Sequence, residues 1–166
     1  MRQRAVAGVM PAALFLVWLV IGCGSSAAPA ASPKPAGTQS CAGVAGAHHA
    51  WVVVQHLDAK VTRKCVGFQA DTVPGLDLMR DSGIEYKTQL FSFGSAVCQV
   101  DGEPAQFDQC LPQNAPYWAM FVDDGSGWKA PNVGIADVKI GDKNALGWRY
   151  TQPSASPAPP PEPPKG

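Results

Sequence analysis

The residues of this 166-residue chain whose types could do chemistry are five cysteines, three histidines, a short acidic run and a cluster of aromatic side chains. The aromatics give the densest signal, with Tyr117, Trp118, Phe121, Trp128, Trp148 and Tyr150 all falling between positions 117 and 150. Rings at that density suit stacking on a planar ligand or a protein partner, and they suit a core as well. Side chains alternate along a strand, so Tyr117, Ala119 and Phe121 share one face and Trp118, Met120 and Val122 the other. One face covers the helix; the second, where Trp118 is expected, needs a covering loop or is a binding surface. Tyr117, Trp118, Trp128 and Trp148 are therefore the candidate ligand-binding residues.

The other candidates are weaker. His48, His49 and His56 carry imidazoles, which are common copper and zinc ligands. The first two belong to the entry segment, and neighbours at i and i+1 on a strand point opposite ways, so no metal site is expected. Asp123-Asp124-Gly125-Ser126-Gly127 has the carboxylates and glycines of a calcium loop without its spaced ligands or closing Glu, and reads as a turn. Glu103 and Asp108 could form an acid–base pair, but read as solvated loop acids. With no G-x-S-x-G elbow and no phosphate loop, neither catalysis nor a cofactor is expected.

Arg2 and Arg4 precede the apolar stretch Ala5–Ile21, which is interrupted by Pro11. A permanent span needs roughly 20 apolar residues, so the pattern reads as a signal peptide over residues 1–22. Its end, Val20-Ile21-Gly22-Cys23, resembles a bacterial lipobox, in which a small residue precedes a Cys that receives a diacylglyceryl thioether before cleavage. The thiol is the only side chain there nucleophilic enough for that alkylation. The resemblance implies a mature chain beginning at an acylated Cys23, anchored on the extracytoplasmic face of the cell membrane; acyl chains on one residue meet the two-signal requirement for stable attachment. Residues 23–40, rich in Ala, Ser and Pro, then form a flexible tether.

Four cysteines remain in an exported chain: Cys41, Cys65, Cys98 and Cys110. Disulfides are expected. Four allow three pairings, and the sequence does not choose among them; Cys41–Cys65 with Cys98–Cys110 is favoured because each closes a short local loop. No pair has the C-x-x-C spacing of a zinc site.

Residues 41–150 carry 9 Lys/Arg against 12 Asp/Glu, a balance of −3. That leaves no electrostatic footprint for a phosphate backbone, so no nucleic-acid partner is expected. Of the 16 prolines, three fall in Gly24–Ser40 and seven in Thr151–Gly166, which leaves one small domain between them. The tail, residues 151–166, favours extended polyproline II and reads as a solvated disordered end.

The elements that must position the aromatics are short. Trp51–Leu57 is β-branched and aromatic, and Asp58-Ala59-Lys60 turns it into a second strand around Val61–Ala70. Asp71-Thr72 offers an N-cap and Gly83 a stop for a helix near Pro74–Ser82, with Leu76, Leu78 and Met79 on its apolar side. So short a helix must pack on a sheet. Lys87–Phe93, Ala96–Val100, Tyr117–Val122 and Leu146–Tyr150 read as further strands, with turns at Asp101-Gly102 and Asp124–Gly127. The fold class is α+β: a β-grasp-like mixed sheet packed on one short helix.

Leu76-Asp77-Leu78-Met79 followed by Gly83, the run Val97-Cys98-Gln99-Val100-Asp101-Gly102-Glu103-Pro104, Cys110, Ala115-Pro116-Tyr117-Trp118 and Gly147-Trp148-Arg149-Tyr150 resemble the transcobalamin-like C-terminal domain family, in its exported bacterial form. The similarity runs from about Trp51 to Tyr150. It implies a β-grasp fold and a Cys98–Cys110 disulfide. In the animal vitamin carriers this domain closes over cobalamin held by a helical domain, which this chain lacks. The expectation is a lipid-anchored extracytoplasmic binding module, for a small planar ligand such as a corrinoid or for delivery to a transporter. The alternative is a cell-envelope interaction module with no small ligand.

Overall fold

The Trp-Val-Val-Val run forms the inner strand β1 (His48–Gln55), because β-branched side chains fit a pleated surface covered on both faces. The structure is a computed structural model that describes residues 40–164. The expected signal peptide, Cys23 and the tether up to residue 39 lie outside the described residues. After β1, the Asp58 carboxylate accepts the Lys60 N–H in a tight turn. The chain returns as β2 (Val61–Phe68), antiparallel to β1.

β3 (Thr72–Pro74), α1 (Gly75–Asp81), β4 (Tyr86–Phe91), β5 (Gly94–Val100), β6 (Tyr117–Asp123), β7 (Trp128–Lys129), β8 (Lys139–Gly141) and β9 (Ala145–Thr151) follow. The main sheet has the order β2-β1-β9-β6-β7, with β9 parallel to β1 and antiparallel to β6. β3 pairs with β8, and β4 with β5. The described chain is thus mostly β, a mixed sheet with one short helix. That helix is not long and apolar enough to cross a membrane.

The helix starts later than its sequence signals. Pro74 stands at the N-cap, where its side chain has no polar atom to offer a hydrogen bond, and Thr72–Pro74 is held in the ladder with β8. Gly83, at φ +70°, ends the helix where an L side chain would be strained. Leu78 and Met79 are fully buried beneath the main sheet.

The register sorts the two faces. Trp118 lies opposite Tyr150, Met120 opposite Trp148 and Val122 opposite Leu146, and with Val52 and Val54 they face the helix. Trp118, expected on the second face, is thus a core residue, 3% exposed. The second face carries Tyr117, Ala119 and Phe121 of β6, Gly147 and Arg149 of β9, and Val53 and Gln55 of β1.

The chain's own tail covers that second face. Pro161 is buried, whereas the composition suggests a solvated end. Its ring lies where Gly147 has no side chain: a Cβ there would stand 2.7 Å from Pro161 Cγ and 2.6 Å from the Trp128 ring. Val53 and Phe121 leave an apolar strip that water disfavours, and the tail removes it from solvent. Both favoured disulfides are present, Cys41–Cys65 tying the chain's entry to β2 and Cys98–Cys110 closing the loop after β5.

Candidate functional site

β7 pairs only with Val122 and Asp123, so residues 117–121 of β6 have a strand neighbour, β9, on one side alone. Beside this free edge lies a cavity of about 650 Å³. Its walls are β6, Trp128 and the 130–134 segment, the β4–β5 turn, Leu111, and Pro157, Ala158 and Pro160 of the tail. Ligand pockets commonly span about 300–1,000 Å³.

The 130–134 wall is fixed by its approach to the hairpin. Gly134 N–H donates to the Phe93 carbonyl and Ile135 N–H to the Ser95 carbonyl, each at 3.0 Å. Gly134 permits this contact, since a Cβ there would lie 2.5 Å from the Ser95 nitrogen.

All four candidate residues, Tyr117, Trp118, Trp128 and Trp148, border the cavity, but in different roles. The Trp118 ring meets His56 edge-on at 5.5 Å and Tyr150 at 4.9 Å, and its Nε1 donates to the Glu103 carbonyl at 2.8 Å. It is fixed as structure. Trp148, 2% exposed, belongs mainly to the core. Tyr117 and Trp128 are half-buried on the second-face side and are free to meet a ligand. The indole N–H groups of Trp128 and Trp148 are buried with no acceptor, although buried donors ordinarily find one.

Sequence reasoning missed the mouth of the cavity. Among the described residues five large hydrophobic side chains are exposed, and three of them, Phe93, Leu111 and Val133, line this one cavity. Leu111 and Val133 sit in loops with no periodic pattern, and Phe93, expected at the end of a strand, lies in the turn after β4, so nothing in the sequence marks the three as a cluster.

The remaining candidates are used locally. His56 Nδ1 meets the Glu103 carboxylate at 2.6 Å, which removes Glu103 from any pairing with Asp108. Burial, and next the Glu103 charge, raise the Tyr150 phenol above the ordinary tyrosine value. His48 and His49 lie in β1, where His49 Nε2 contacts the Val44 carbonyl. Among the described residues no group of three metal-ligating side chains forms. The acidic run is a turn: Asp123 accepts the Gly125 and Gly127 N–H groups. The Ser126 hydroxyl and then Lys129 hold the Asp124 carboxyl well below the usual carboxylate range.

No protein-family profile matches the chain, and no curated protein matches it. Among solved structures it is similar to a protein from Ruminococcus gnavus ATCC 29149 described as a "putative metal binding protein". The two share 13% identity over 63% of this chain and 97% of that one, with a TM-score of 0.47.

Proposed function

We propose that this chain is a lipid-anchored extracytoplasmic binding module of the transcobalamin-like, β-grasp kind. It holds a small planar ligand, such as a corrinoid, in the cavity beside β6 and presents it at the cell membrane to a transporter. The observation that carries this reading is the gathering of exposed Phe93, Leu111 and Val133 around one aromatic-walled cavity of about 650 Å³. Apolar surface concentrated at a concave site is the mark of a ligand or partner. Two disulfides agree with an oxidising compartment.

Titration of the purified protein with corrinoids, haems and other planar cofactors should quench tryptophan emission saturably; no quench across the panel overturns the reading. Cys23→Ala should release the protein from the membrane fraction, and retention there would contradict the lipid anchor.

One observation favours the second reading, an envelope-protein contact with no small ligand. Residues 117–121 of β6 have no strand on their outer side, which is the site an added strand uses. Crosslinking in cells that returns lipid alone would count against it.

A further inference from the structure

The place where the tail rests is a built site. Gln55, 4% exposed, accepts the Glu162 N–H on Oε1 at 2.9 Å, and the same oxygen takes an N–H from Arg149 at 2.9 Å. Arg149 Nη1 also donates to the Pro160 carbonyl at 3.2 Å. Arg63 Nε donates to the Pro163 carbonyl at 3.4 Å, and its Nη2 to the Glu162 carboxylate at 2.9 Å. Pro161 fills the notch over Gly147, against the edge of Trp128.

These contacts match what a proline-rich chain can offer. Proline has no N–H, and polyproline II leaves its carbonyls without internal partners. From Pro159 to Pro164 the one backbone N–H is that of Glu162, and a buried glutamine takes it. The carbonyls on either side meet arginine donors. Aromatic grooves that bind proline-rich segments read them by the same combination of ring and hydrogen bond.

We infer that this face of the sheet is a docking site for an extended Pro-Pro-acidic-Pro segment. Residues Pro160–Pro163 are its resident occupant, and the partner it fits is a proline-rich, acidic segment of another chain. Two arginines on a domain of net negative charge, both turned to this segment, supply the charge complementarity. The tethered tail competes at an effective concentration in the millimolar range, so a partner gains access as the tail's own hold weakens.

The test uses the full chain and a labelled peptide with the sequence of residues 158–164, followed by anisotropy. In a chain carrying Pro161→Gly and Glu162→Gly, the peptide should bind at least about tenfold more tightly than to the native chain. A peptide with Lys in place of the Glu should bind about fivefold more weakly, as an ion pair at the rim requires. Adding Arg63→Glu to the weakened chain should reverse that preference between the two peptides. The reversal reports on recognition rather than on folding. Equal affinity for native and weakened chains, or indifference to the peptide's charge in both backgrounds, overturns the proposal.

Discussion

Trp118 and Trp128 both border the cavity, yet only Trp128 can answer to a ligand, because Trp118 is pinned by rings on two sides and by the Glu103 carbonyl. Trp118→Phe should therefore act on stability. It removes one of two hydrogen bonds to that carbonyl, which keeps the Val100 N–H, at a cost of about 0.5–1.5 kcal/mol, seen as a lower urea midpoint with unchanged m. Tyr150 carries a pH dependence. Its raised phenol pKa means that the unfolded chain gives up the proton first. The neutral phenol's contribution is whole below about pH 10 and is lost as pH rises through the folded value. In an alkaline absorbance titration Tyr150→Phe should remove a component that ionises above the ordinary tyrosine value. Glu103→Gln should move that component to lower pH, by relieving the carboxylate's charge.

At the scale of elements, β1, β2, β6 and β9 were legible because β-branched and aromatic runs such as Trp51–Val54 and Tyr117–Val122 suit strands. β3, β7 and β8 were not, since two or three residues show no period and are held by their partners alone. Trp118's face was misread because alternation separates two sets of side chains without saying which set meets the helix. The tail was misread for a related reason. Composition gives Pro159–Pro164 its extended shape, but two of the side chains that hold it, Gln55 and Arg63, lie 107 and 99 residues from Glu162 in sequence. Two glycines test this level. Gly134→Ala should push the 130–134 wall off the hairpin, weakening ligand binding and costing about 1–3 kcal/mol. Gly147→Ala should lift Pro161 and Trp128, seen as faster hydrogen exchange at the Glu162 amide.

Over the whole molecule, the small core of the described residues, with its one short helix, is held by two cross-links. In the chain-entropy model each adds roughly 3 kcal/mol, a large share of the 5–15 kcal/mol typical of a domain. Reduction should lower the thermal midpoint. Intact mass should rise by about 4 Da as the two disulfides open to four thiols.

The central claim is that the cavity beside β6 holds a small planar ligand. Its most direct measurement is calorimetric titration of the full chain and of an Ala119→Phe chain with the cofactor that quenches tryptophan emission most strongly. Ala119 is half-buried on the cavity wall, so the added ring takes up part of the space that a ligand would occupy. The expected result is one-to-one binding to the native chain and at least about tenfold weaker binding to the filled one, the loss that about 1.4 kcal/mol represents. Equal binding by both chains would contradict the account.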